Sequence, residues 1–178
     1  INNYPTAPLN GCIADAEDWA RTLSELGFEV GVMRDEEATR SAILQTWEGM
    51  ISQSSPGDVL VLQFAGHGTQ LDDLDGDEDD DAKDEAMVPF DYESGAYLID
   101  DDVSDLFSRI PDHVNVTCFF DCCHSGTNTR FAIGPTGQAG GHTRDERRRF
   151  MAPTPQMQKA HAAFRVRLPV GREIGRAS

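Results

Sequence analysis

Residues 114–126 read VNVTCFFDCCHSG: an apolar run that breaks abruptly into Asp121, two adjacent cysteines, a histidine, a serine and a glycine. A short apolar run bounded by turn residues predicts a strand buried on both faces. Residues 58–64 (DVLVLQF) form a second such run, which ends in Ala65-Gly66-His67-Gly68. Helical patterns lie around these two strands. From Ile13 onward, Ala16, Ala20, Leu23 and Leu26 follow helical spacing, with Trp19 on the same side and Gly27 as a stop. Thr39 caps a second helix that carries Ile43, Trp47, Met50 and Ile51 on one face and ends before Pro56-Gly57. Residues 28–33 read as a strand, 87–90 as a short extended piece, and 103–110 as a short helix closed by Pro111. Strands alternating with helices predict right-handed crossovers and an α/β fold built on a mainly parallel sheet.

The chain has 178 residues, an ordinary length for one domain. Its net charge of -16 is unevenly placed. Residues 1–129 hold 5 Lys/Arg against 28 Asp/Glu, whereas 130–178 hold 10 against 3. Phosphates and anionic lipid surfaces would be repelled by so acidic a body, so nucleic acid and membrane are not expected partners. No apolar run approaches the ~20 residues of a membrane span. A chain of this size buries a core without disulfides, so Cys12, Cys118, Cys122 and Cys123 are expected as free thiols in a reducing, cytoplasmic setting. Residues 132–156, rich in Gly, Pro and Arg, read as a linker with no apolar spacing.

The carboxyl ends of strands in a parallel sheet form the ligand crevice. If the two buried strands are neighbours, His67 and a cysteine of the 121–126 turn meet there. A thiol is largely protonated at neutral pH, and a nearby imidazole can take its proton and create a nucleophile. The amides of Gly68 and Cys123 would then face the oxygen of a tetrahedral intermediate.

The two turns and their order resemble those of the caspase-like cysteine peptidases, specifically the metacaspases and their bacterial relatives. His67 precedes Cys123 by 56 residues, close to the ~50 of the caspase pattern. Residues 9–16 (LNGCIADA) look like the family's GCxxDA segment, and 98–102 (LIDDD) like its IxDDE/D segment. The matches run to about Gly126, some two-thirds of the chain. The resemblance implies a caspase-like sandwich over residues 1–131, with helices on both faces of the sheet, followed by a basic linker and C-terminal segment, 132–178. It implies Cys123 as nucleophile and His67 as general base. Cys12, Asp15 and Asp121 fall on positions lining the family's pocket for the residue before the scissile bond. Carboxylates there favour Arg or Lys in a polypeptide substrate. Asp84, Asp100 and Asp101 match carboxylates that bind activating calcium in many members, an ion that takes oxygen ligands.

Departures from the family pattern are visible. Ala65 stands where many metacaspases have Ser, and Arg130 falls about where a further calcium-binding carboxylate is expected. The chain lacks the apolar strand the family places before Asn3-Tyr4 and a small-subunit segment after the basic region. It is therefore expected to be the large-subunit-like catalytic portion of a longer protein, acting as a monomer. The leading expectation is a cysteine endopeptidase that cleaves after Arg or Lys and processes itself within the stretch holding Arg144, Arg147, Arg148 and Arg149. The alternative is an inactive caspase-like or calcium-responsive interaction module.

Simpler roles suffice elsewhere. Cys118, within a buried strand, reads as a small core residue. The cysteines lack the paired spacing of a structural zinc site. Residues 72–81, with eight Asp/Glu, fail the EF-hand register, because Gly76 in sixth place would put Leu71 first and Ala82 last. A solvated acidic loop is the expectation there.

Overall fold

The computed structural model describes residues 1–74, 83–122 and 149–168. Two strands, β1 (Val59–Ala65) and β5 (Asn115–Asp121), pair in parallel with Ala65 opposite Asp121. The two apolar runs are thus direct neighbours, and both end on the same edge. Helix α1 (Cys12–Glu25) and helix α2 (Arg40–Gln53) cover this pair. Consecutive strand residues point to opposite faces. Trp19 of α1 meets Phe119 with ring centroids 4.3 Å apart, while Trp47 of α2 stacks on Phe120 at 5.8 Å. The two helices therefore lie on opposite faces of the sheet, as expected. Thr39 caps α2 by accepting a hydrogen bond from the Ala42 amide at 3.3 Å.

A second sheet was not anticipated. Strands β2 (Gly68–Asp72), β3 (Lys83–Met87) and β4 (Leu98–Ile99) form an antiparallel sheet in the order β2-β3-β4. β2 fills the stretch between the His67 turn and the acidic residues and takes in only Asp72 of the region read as loop, with Thr69 and Leu71 buried and Gln70 between them partly open. Residues 28–33, read as a strand, are not one. They face β1 across a groove that also borders Trp19, Leu23, Ile43 and Trp47. Separated from β1 in this way, they do not enter the β1–β5 ladder.

Helix α3 (Asp100–Phe107) begins three residues earlier than its apolar spacing indicated. Asp100, Asp101 and Asp102 occupy its first turn, where the helix dipole favours negative charge. Starting at the end of the segment read as linker and running into the basic C-terminal segment, the structure has a helix, α4 (Pro155–Arg165). Thr154 caps it through the Met157 amide at 3.2 Å, and Pro155 sits in the first turn. It docks on Gly95, where a Cβ would lie 2.2 Å from the Ala160 carbonyl oxygen. Only glycine permits that approach, and its φ of +90° also favours glycine. His161 of α4 is buried, with Nδ1 3.2 Å from the Gly95 carbonyl oxygen. Among the described residues, no helix is long and apolar enough to cross a membrane.

Candidate active site

His67 sits two residues beyond the end of β1, and position 123 two residues beyond the end of β5. Because Ala65 pairs with Asp121, β1 and β5 end at the same sheet edge. Cys123 itself, with the stretch 123–148 that includes Arg130, Arg144, Arg147 and Arg148, lies outside the described residues.

His67 is buried and fixed from several directions. Its backbone amide donates to Tyr4 Oη at 3.0 Å, and that hydroxyl in turn donates to the Val88 carbonyl at 2.8 Å. The Tyr4 and His67 rings lie 4.7 Å apart. Gly66 makes room for this contact, since a Cβ there would sit 2.4 Å from Tyr4 Oη. Burial pushes the Tyr4 phenol far above its ordinary range, so it stays a neutral hydrogen-bonding post. His67 Nε2 lies 2.7 Å from the Ala7 carbonyl oxygen. A carbonyl only accepts, so Nε2 is the donor, the tautomer that in a neutral ring leaves the lone pair on Nδ1. Nδ1 is buried and has no hydrogen-bond partner among the described residues. This is the state a general base needs: one nitrogen anchored, the other free to take a proton. Tyr4 and the Ala7 carbonyl both escape sequence reading, because each acts across more than 55 positions and one of them is backbone.

The residues expected to line a pocket do come together. Cys12 is fully buried at the start of α1, and burial raises its thiol pKa despite the nearby Arg149 charge. Asp15 on α1 and Asp121 at the end of β5 converge on the Arg149 guanidinium. Nη2 lies 2.6 Å from Asp15 Oδ2, while Nη1 pairs with the Asp121 carboxylate and donates to its carbonyl at 3.1 Å. Burial works against the guanidinium charge, yet the Asp15 hydrogen bond and surrounding negative charge outweigh it and raise the Arg149 pKa. The two carboxylates and the Asp121 carbonyl thus hold the guanidinium at the end of β5.

The Gly68 amide, expected to polarise an acyl oxygen, donates to the Arg149 carbonyl at 2.8 Å. Cys118 behaves as a core residue: it is buried in β5, and burial pushes its thiol up to about 11. Of the carboxylates matched to calcium binding, Asp84 is buried in β3, and Asp100 and Asp101 open α3. Among the described residues, no three His, Cys, Asp or Glu side chains gather as a metal site.

Comparison with known proteins agrees with this geometry. The family model for the metacaspase, peptidase C14 domain matches residues 1–131. The chain belongs to the metacaspase family. Metacaspase-2 of Trypanosoma brucei brucei is 35% identical over 140 residues, covering 71% of this chain and 40% of the relative. Metacaspase-1 of Saccharomyces cerevisiae is 33% identical over 130 residues, covering 67% of this chain and 30% of the relative. The chain thus spans less than half the length of these curated metacaspases. A crystal structure of a Geobacter sulfurreducens protein superposes with a TM-score of 0.60 at 36% identity, covering 68% of this chain and 44% of that one. The metacaspase chain accordingly has the caspase-like fold that its motifs implied, with the parallel β1–β5 pair carrying the site edge.

Proposed function

We propose that this metacaspase chain is the catalytic portion of a cysteine endopeptidase that cleaves polypeptides after Arg or Lys. One observation carries the reading: the Arg149 guanidinium sits between Asp15 and Asp121 while its carbonyl oxygen accepts from the Gly68 amide. A basic side chain and the adjacent acyl group are held together where the sheet edge presents His67. In the proposed reaction, His67 Nδ1 takes the Cys123 thiol proton and the thiolate adds to the carbonyl carbon. The negative oxygen is held by the amides of Gly68 and Cys123. Collapse breaks the C–N bond, with the proton passing from His67 to the leaving amine. Water then adds to the thioester, gives a proton to His67, and displaces the thiolate to release the carboxylate.

The enzyme is proposed to act in the cytoplasm as a monomer, with Cys12 and Cys118 as free thiols. Self-processing within 144–149 belongs to the same reading, supported by Arg149 lying in the pocket. An activating role for calcium is proposed from the family resemblance alone, with Asp84, Asp100 and Asp101 as the carboxylates it implies; no three such side chains gather among the described residues, and no chemical step passes through the ion. The test is hydrolysis of Arg- and Lys-ended peptide reporters, with and without calcium. Cleavage sensitive to iodoacetamide is expected, and activity that survives Cys123→Ala would overturn the reading.

A further inference from the structure

Arg149, Phe150 and Met151 lie across the site as a substrate would, and three separate contacts hold them there. The first is the guanidinium between Asp15 and Asp121. The second is the Arg149 carbonyl on the Gly68 amide, 2.8 Å away. The third is strand pairing along β2. Gly68 bridges Phe150 in parallel, the Met151 amide donates to the Gly68 carbonyl at 2.8 Å, and Thr69 Oγ1 donates to the Met151 carbonyl at 2.7 Å. The Met151 side chain is buried, so the segment is packed as well as hydrogen-bonded.

We propose that Arg149–Met151 is a tethered occupant of the substrate cleft, which an incoming basic peptide must displace before it can be cut. This rests on the peptidase reading, with Asp15 and Asp121 as the specificity pocket. The contacts are mutually exclusive with substrate, since the Gly68 N–H polarises one acyl oxygen at a time and the pocket holds one guanidinium. The tether favours the occupant. Thr154, three residues beyond Met151, caps α4, and α4 is fastened by His161 to Gly95 and by Arg165 to Asp102 at 2.8 Å. Such a short connection gives an effective concentration on the order of millimolar, far above micromolar substrate. The carboxylates are ready to receive a replacement. The Arg149 side chain is only 9% exposed, but Asp15 and Asp121 remain 42% and 41% exposed, so water can solvate them while the segment is out.

The test is initial-rate kinetics on an Arg-ended reporter peptide, using 178-residue chains verified intact by mass spectrometry. Arg149→Gln is expected to lower KM tenfold or more, with the change falling in KM rather than kcat. Arg149→Lys is expected to keep the parental KM. Met151→Glu, which unseats the same segment from its other end, should also lower KM and guards against a folding defect in the first variant. Reporter hydrolysis with KM unchanged or raised in both Arg149→Gln and Met151→Glu would overturn this inference and leave the peptidase reading standing. No hydrolysis of any Arg or Lys reporter by the parent or the variants would overturn both.

Discussion

Two arginine-centred clusters share α4's end of the chain but are built in opposite ways. At the site edge, one guanidinium, Arg149, faces two carboxylates, Asp15 and Asp121. Beneath α4, one carboxylate, Asp102, faces two guanidiniums. Its Oδ2 lies 2.8 Å from Arg40 and its Oδ1 2.8 Å from Arg165. Arg40 also donates to the Tyr97 carbonyl at 2.8 Å, and its guanidinium lies 5.5 Å from the centroid of the Phe164 ring. Asp102 is 13% exposed and Arg40 10%, so neither can turn to water if its partner is lost. The first cluster pairs its cation with carboxylates that stay partly open to water. The second is a rivet. The difference lies in which sign is in excess and how much of it remains wet.

Four measurements would break or sharpen that contrast. Asp102→Ala strands two partly buried guanidiniums and is expected to cost about 3–5 kcal/mol of folding stability, read by denaturant unfolding. A cost under about 1 kcal/mol would remove the distinction. Asp121→Asn or Asp15→Asn weakens the pocket for a basic side chain without such a stability loss. In an Arg149→Gln background, where the tethered cation no longer competes, each should lower kcat/KM on an Arg reporter by about 5- to 30-fold, or about 1–2 kcal/mol for a charged hydrogen bond that is partly solvated. Arg149→Gln should change folding stability by about 1 kcal/mol or less, because Asp15 and Asp121 become hydrated. A loss matching that of Asp102→Ala would make Arg149 a rivet too.

The smallest expected effect concerns pH. Burial lowers the His161 pKa, opposed by the Gly95 carbonyl and Asp102 and reinforced by Arg165 and Arg40. Nδ1 donates to the Gly95 carbonyl, while Nε2 is buried with no hydrogen-bond partner among the described residues. The unfolded chain therefore binds the His161 proton more readily than the folded one, and stability declines as pH falls below about 6.5. Melting temperature compared at pH 7.5 and 5.5 reads this. Part of the decline should vanish in His161→Phe, and identical slopes in parent and variant would contradict it.

The sequence made the site edge legible because its two strands are apolar runs that end in unmistakable polar turns. His67 could be named on that basis, whereas Asp15 and Asp121 were implied by the family resemblance, and the structure brings those two together. The antiparallel sheet was less visible. β2 is five residues long and merges into the acidic stretch that follows, so its alternation is brief. Helix α4 carried a readable Thr154-Pro155 start, but Gly, Pro and Arg around it masked the signal. The clamp on His67 had no sequence signature, since it relies on a backbone carbonyl at Ala7 and a tyrosine 63 positions away. The sequence offered four arginines, Arg144, Arg147, Arg148 and Arg149, as places for self-processing. Only the fold could show which arginine is seated, because that depends on the strand pairing of Phe150 with Gly68.

Cleavage of a randomised peptide library by the parent chain beside Cys123→Ala tests the central claim most directly. Cuts after Arg and Lys alone are expected, with all of them lost in the variant. Cuts after other residues, or equal cleavage by Cys123→Ala, would contradict it.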